Sequence, residues 1–280
     1  MAHTTANQAA ALLSLSVVLA CVATTNLAGQ TTTQLSDKQK EEFLLTAKLE
    51  SKKQLSVGIT GSERATFSDG SLRHDAHLQD VDEFKARYQG LFGTELNFRD
   101  SYKFNIAAYR LDRLINLNMV PVSVERTVAG RSSSVTWWLD DIQMMELDRY
   151  KKKITPPDQA AWNDQMYNVR VFNELVYNTD ANLGNVLISN DWDIRLIDYS
   201  RAFRTRKNLR EPKNLVKIDR RVYDGLRNLN AEMLQRKLGD VLRKAEISAI
   251  LARRDLILKF FEGEIARRGE KALICDLPKH

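Results

Sequence analysis

Cysteine is almost missing from this sequence. Its 280 residues hold two, Cys21 and Cys275, and Cys21 lies in an N-terminal stretch that reads as removable. Cys275 then stands alone, which excludes an intramolecular disulfide in any compartment. Long apolar runs are missing too. Beyond residues 9–23 (AAALLSLSVVLACVA) no segment is apolar and long enough to cross a membrane, and that run is itself short for a span. It has the length of a signal-peptide core and is followed by the small residues Ala23, Ala28 and Gly29. The leading MAHTTANQ, however, lacks the Lys or Arg that usually opens such a segment. Residues 1–29 are therefore expected to be a signal peptide or a hydrophobic N-terminal segment. Export, periplasmic or secreted, is the first expectation, with Cys21 as a poorly fitting lipid anchor and a cytoplasmic protein as the alternative.

What is present describes a globular chain large enough to bury a real core. Hydrophobic residues make up 43% and charged residues 28%, which excludes a disordered protein. The formal net charge is +6, and it is unevenly placed. Residues 201–220 (RAFRTRKNLREPKNLVKIDR) carry eight Lys or Arg against Glu211 and Asp219, so one segment holds as much excess positive charge as the whole chain. It reads as a solvated basic loop or as an anion-binding face for an acidic substrate, a membrane surface or nucleic acid. Aromatic residues are not interleaved there beyond Phe203, which argues against stacking on single-stranded nucleic acid.

The hydrophobic period changes along the chain. Residues 30–54 are polar and helix-prone, predicting an N-terminal helix. Leu55, Val57 and Ile59, then Ala65 and Phe67, alternate around Gly61-Ser62 and predict a hairpin, with Leu72, His74, Ala76 and Leu78 marking a third strand. On such a strand His74 and His77 face opposite sides, so they are no metal pair. Phe104, Ala107, Ala108, Leu111, Leu114 and Ile115 recur at helical spacing, and a strand pair follows around Gly130. After a linker near residues 139–160, Trp162, Met166, Val169, Phe172 and Val176 mark a second helix, and the tail from Asp219 to Arg268 reads as helical throughout. Strands with one helix, then mostly helices, predict an α+β chain of two lobes, residues 55–139 and 140–280, sharing a cleft.

The densest chemistry lies in YNTDANLGNVLISNDWDIRLIDYS, residues 177–200. Val186-Leu187-Ile188 and Ile194–Ile197 are short apolar strands around a turn whose Asn190, Asp191 and Asp193 are turn formers. Asn185 and Asp198 fall at the open end of that hairpin, and Asp180 five residues earlier in the loop before it. Two carboxylates and a carboxamide are hard oxygen donors of the kind that hold Mg²⁺ or Mn²⁺ together with phosphate oxygens.

An Asp-x-x-x-x-Asn followed by a strand pair and an Asp resembles the catalytic loop and metal-binding Asp of the protein-kinase-like superfamily. NTDANLGN and LIDYSRAF look more like its atypical branches: phosphatidylinositol 3-/4-kinase-like, HipA-like and secretory-pathway kinases. Within these they look closest to an uncharacterised bacterial group with an NTDRNxGN…IDHSRAF core. The resemblance implies a small antiparallel-sheet N-lobe with one main helix and a mostly helical C-lobe. It further implies ATP with Mg²⁺ or Mn²⁺ in the cleft, and transfer of the γ-phosphoryl group to a hydroxyl of a protein or small molecule. Asp180 would be the catalytic Asp, and Asn185 and Asp198 the metal ligands. Gly58 and Gly61 would belong to the loop over the phosphates, and Trp138, Leu139, Asp140 and Asp141 to the hinge that meets adenine. Arg201 and Arg204 would face substrate or phosphate. Where kinases place a Lys on the third strand and a Glu on the following helix, this chain has Gln79 and Asn105, both neutral, leaving Arg64 on the second strand to supply the charge. Three alternatives follow: a nucleotide-binding pseudokinase, an AMP transferase using the same site, and a basic interaction protein acting through residues 201–220.

Overall fold

The computed structural model describes residues 35–55, 62–90 and 93–277. The N-terminal segment 1–29 and the expected phosphate-loop residues Gly58 and Gly61 lie outside the described residues. Helix α1 (Asp37–Thr46) opens on a capping box in which Ser36 and Gln39 satisfy each other's backbone amides. The helix expected over residues 30–54 ends there, and Lys48–Gln54 is strand β1. All seven of its side chains are exposed, so no apolar period betrays the strand. Its lysines suit the unpaired outer edge that it provides.

β1 pairs with β2 (Glu63–Ser68), β2 with β3 (Arg73–Gln79), β3 with β7 (Arg131–Trp137) and β7 with β6 (Ser123–Val128). The result is a five-stranded antiparallel sheet in the order β1-β2-β3-β7-β6. Ala65, Phe67, Ala76, Leu78 and Val135 point to one face and are buried, the alternation expected of a half-covered sheet. Between β3 and the helix α2 (Lys103–Leu114) stands a separate hairpin, β4 (Asp82–Gly90) with β5 (Gly93–Ser101). Its first strand is exposed almost throughout, which is why hydrophobic patterning passed over it. Phe104, Ile106, Leu111 and Ile115 of α2 and the turn that ends it are fully buried.

The second lobe begins within the expected linker, which holds β8 (Ile142–Met145) and α3 (Glu146–Lys152). Helix α4 (Gln159–Val176) is capped by Asp158, whose carboxylate accepts from Ala160 and Ala161. The loop after α4 leads to β9 (Val186–Ser189) and β10 (Ile194–Leu196), which join β8 in a three-stranded sheet ordered β10-β9-β8. Then come β11 (Ile218–Asp219), α5 (Arg220–Asn228), α6 (Ala231–Leu238), α7 (Lys244–Arg268), α8 (Glu270–Leu273) and β12 (Ile274–Cys275), with β11 and β12 pairing in parallel. The tail read as continuously helical is thus broken in two places, the second helix opening on the Asn230 cap. One apolar core runs through both lobes, from Phe67 and Phe104 to Phe172, Ile188 and Phe261. No helix among the described residues is long and apolar enough to cross a membrane.

Candidate functional site

The β9–β10 hairpin is closed at its tip, where Ser189 donates to the Asp193 carbonyl and Asn190 to the Asp141 carbonyl. Asp193 therefore serves the turn, as its sequence suggested, while Asn190 ties the turn to the segment before β8. At the open end the Ile197 amide donates to the Asn185 carbonyl at 3.1 Å, setting Asn185 one residue out of step with Asp198. Asn185 Nδ2 donates to the Asp180 carbonyl at 3.3 Å, leaving its side-chain oxygen as the group able to ligate a cation. Asp180 is itself fixed at its amide, which donates to Asn178 Oδ1 at 3.0 Å. Its carboxylate is 38% exposed and lies 3.9 Å from Arg201.

Asp198 is different in kind. It takes a left-handed φ of 56°, an uncommon state for a residue with a Cβ, and such states gather at functional sites. Its Oδ1 is buried with no hydrogen-bond partner among the described residues. Burial raises its carboxyl above the ordinary carboxylate range. Hydrogen bonds from Ser200 pull it back in part, and the charges of Asp180 and Asp100 push it further up. A buried carboxylate with one oxygen unsatisfied is a group that a cation would complete, and the donor set fits a hard divalent ion. Among the described residues no three His, Cys, Asp or Glu side chains form a cage on their own, so any such ion would also need oxygens from its ligand.

The same segment is tied to the first lobe. Tyr199 donates its amide to Asn105 Oδ1 at 2.8 Å, Ser101 donates to the Ser200 carbonyl at 2.9 Å and Leu196 to the Met119 carbonyl at 2.9 Å. Asn105 in turn donates to Gln79 Oε1 at 2.5 Å. The two neutral residues that stand where a Lys–Glu pair was expected are therefore bonded to each other. Arg64, the residue expected to supply that charge, has partners of its own. It is salt-bridged to Asp75 at 2.5 Å and stacked 4.1 Å over Trp138, opposite His77 rather than Gln79 in the strand register. Lys85, on the exposed β4, pairs with Glu83. The segment from Trp138 to Asp141 connects β7 to β8. There His74, stacked on Trp137 at 3.7 Å, reaches Asp140 at 2.8 Å, and the Trp138 amide donates to the Asp75 carbonyl. His77 faces the other side, and burial pushes its imidazole down to about 4.

Several residues that shape the site escaped the sequence reading. Asp100 of β5 is buried and holds Arg201 at 2.7 Å. Burial alone would lower the Arg201 guanidinium, but Asp100 and then Asp180 raise it above its ordinary value. Glu95, also on β5, pairs with Arg204 at 2.5 Å, and Arg204 reaches the Thr179 hydroxyl at 3.2 Å, one residue before Asp180. Arg253 of α7 is fully buried. It donates to the carbonyls of Leu175 at 2.7 Å, of Arg204 at 2.9 Å and of Arg206, and burial pushes it down to about 10. Glu174 accepts the amides of Arg210 and Glu211. The turn glycines Gly90 and Gly93 were the one sequence sign of the β4–β5 hairpin that supplies Asp100 and Glu95.

The basic excess of residues 201–220 is mostly absorbed internally. Besides Arg201 and Arg204, Arg210 donates to the Asn178 carbonyl, Lys213 pairs with Glu211, Lys217 with Asp164, and Arg220 with Glu270 and Asp276. Arg206 and Lys207 stay exposed.

No protein-family description and no curated protein matches the sequence. Solved structures do. The chain is similar to a Fam20 protein of hydra, solved with a sugar, at 14% identity and a TM-score of 0.64 over 85% of this chain and 92% of that one. It is also similar to the Golgi casein kinase. The structure of that protein with Mn and ADP bound gives 12% identity and a TM-score of 0.60 over 87% and 80% of the two chains. A second structure gives 13% and 0.58 over 88% and 81%. The fold is the two-lobed protein-kinase-like one. Within it α2 and β5 touch the segment just after Asp198, at Tyr199 and Arg201.

Proposed function

We propose that this chain binds ATP with Mg²⁺ or Mn²⁺ between its lobes and transfers the γ-phosphoryl group to a hydroxyl of a protein or small molecule. The observation that carries the reading is Asp198, a buried carboxylate in a left-handed conformation with one oxygen unsatisfied. The kinase-like fold and a similar structure holding Mn and ADP support it. Asp198 and the Asn185 carboxamide would hold the cation, and the bound cation would offset charge on the phosphate oxygens. Asp180, the more open of the two carboxylates, would orient the acceptor hydroxyl and take its proton. Arg201, held by Asp100 and within 4 Å of Asp180, would hold that carboxylate in place. The backbone of residues 138–141 would meet the adenine, and Gly58 and Gly61 the phosphates.

A second reading, nucleotide binding without transfer, is favoured by the neutral Gln79–Asn105 bond, which stands where a Lys–Glu pair was expected. The experiment incubates the full chain with Mn²⁺ or Mg²⁺ and ATP labelled separately at the α- and γ-phosphorus, beside an Asp198→Ala control. Label from γ alone, lost in the control, supports phosphotransfer. Label from α replaces it with AMP transfer, and metal-dependent ATP binding without label leaves the second reading. Neither binding nor label sinks the assignment of all three residues.

A further inference from the structure

A cavity of about 220 Å³, not lined by the three candidate metal and catalytic residues, lies between β5, the loop after Asp198 and the start of α7. Its charged lining is Arg99, Arg204, Arg206 and Arg243 against Glu95 and Glu246. The carboxylates do not suffice. Glu246, 1% exposed, is shared by Arg99 at 2.9 Å and Arg243 at 2.6 Å, Glu95 serves Arg204, and the lining keeps two positive charges in excess. Asp82, 3.7 Å from Arg99, offsets one of these from outside the lining. Arg206 brings an exposed side chain to the rim, its own carbonyl fixed from behind by the buried Arg253. The positive end of the 25-residue α7 opens on the same space.

We propose that this cavity is a second anion site, separate from the candidate nucleotide site, that takes a phosphate-class dianion. Such an ion is opposite in sign to the excess charge, fits the volume, and has the oxygen geometry that guanidinium forks bind best. It would add a shared ligand to three elements already linked by ion pairs and hydrogen bonds: the β4–β5 hairpin, the loop that follows Asp198, and α7. Two sources offer the same chemistry. One is a free phosphate-type ion. The other is a phosphoryl group on Thr205, an exposed hydroxyl in the lining itself. In that case the Thr205 oxygen bonds the γ-phosphorus of ATP as its proton passes to solvent, the bond to the β-phosphate oxygen breaks, and ADP leaves. Only this second source rests on the proposed phosphotransfer.

The test follows thermal unfolding of the full chain in inorganic phosphate against chloride at equal ionic strength. Phosphate is expected to raise the melting temperature by several degrees more than chloride. The double variant Arg206→Ala/Arg243→Ala, both at exposed side chains, loses that rise while its melting in chloride sets the baseline. Asp198→Ala retains the rise, so failure of the nucleotide reading and failure of this one are told apart. Mass spectrometry before and after incubation with ATP and Mn²⁺ separates the sources. A phosphoryl group on Thr205 that abolishes the response to added phosphate means the attached form, and an unmodified Thr205 with the full response means the free ion. A phosphate effect no larger than that of chloride, or one that survives in the double variant, overturns the proposal.

Discussion

Asn105 and Gln79 share a buried hydrogen bond of 2.5 Å, and through it the N-lobe helix α2 is fastened to the third strand without a charge. The other side of the Asn105 carboxamide accepts from Tyr199, the residue after Asp198. One side chain thus spans the sheet, the helix and the candidate metal segment. A Lys–Glu pair could bind strand to helix as well, but its carboxylate and ammonium would both have to be desolvated here. The neutral pair gives up a charge at this position and gains a junction without that cost.

Asn105→Leu, close to isosteric, removes this junction. The buried Tyr199 amide loses its acceptor, which costs about 1–3 kcal/mol. Denaturant unfolding should show that loss. Metal-dependent nucleotide binding should weaken with it, because Asp198 is next in the chain. A variant with unchanged binding would show that the α2 junction does not position Asp198.

Asp198→Asn tests the buried carboxylate by pH and by metal. Burial raises the Asp198 carboxyl, so between the ordinary carboxylate range and its raised value the folded chain keeps a proton that the unfolded chain has released. Stability therefore falls as pH rises through that window. Above that window, in chelator, the ionised carboxylate is a standing penalty that the amide lacks, and the variant is expected to melt higher than the wild type. With Mn²⁺ the order reverses. The wild type gains about 2.7 kcal/mol at a hundredfold excess over its dissociation constant, and the variant gains little. Scanning melting temperature against pH with and without Mn²⁺ reads both signs, and a metal response equal in the two proteins would remove Asp198 from the site.

The α4 helix, the β9–β10 hairpin and the convergence of Asn185 with Asp198 were legible because each rests on local spacing: an apolar stripe, an alternation and a polar turn. Asp100 and Arg253 were not. Each looks like an ordinary charged residue, and its burial depends on a partner about 100 residues away for Asp100 and 78 residues away for Arg253. β1 and β4 were missed for the opposite reason, since strands exposed on both faces write no apolar period into the sequence. The basic run at 201–220 was legible only as composition. Its charges mostly face acids and carbonyls brought in from α4, β5 and the C-terminal segment, which no count along the chain can reveal.

Arg253→Lys keeps a charge and loses the planar fork that reaches three carbonyls. One amine cannot serve Leu175, Arg204 and Arg206 together, so a cost of about 2–3 kcal/mol is expected. The damage should be local as well as global. Amide hydrogen exchange at residues 203–206 is expected to speed up more than exchange in the core of α4. Uniform acceleration across the chain would mean that Arg253 supports the fold at large and not this loop in particular.

Asp100→Asn separates the two carboxylates that Arg201 stands between. Arg201 is 2.7 Å from Asp100 and 3.9 Å from Asp180, so the nearer charge holds it off the farther one. With Asp100 neutral, Arg201 should close on Asp180 and compete with the acceptor hydroxyl for its oxygen. A tenfold loss of γ-phosphoryl transfer is expected, equivalent to about 1.4 kcal/mol of barrier, with nucleotide affinity nearly unchanged. A second readout distinguishes this from mere loosening. The Asp100 charge also helps to raise the Asp198 carboxyl, so its removal lowers that carboxyl, and the acid limb of Mn²⁺ binding should move to lower pH. Mn²⁺ titrations across pH, beside transfer rates, measure both effects. A variant whose transfer falls but whose binding profile stays in place would leave Asp100 as a clamp on Arg201 without electrostatic reach to Asp198.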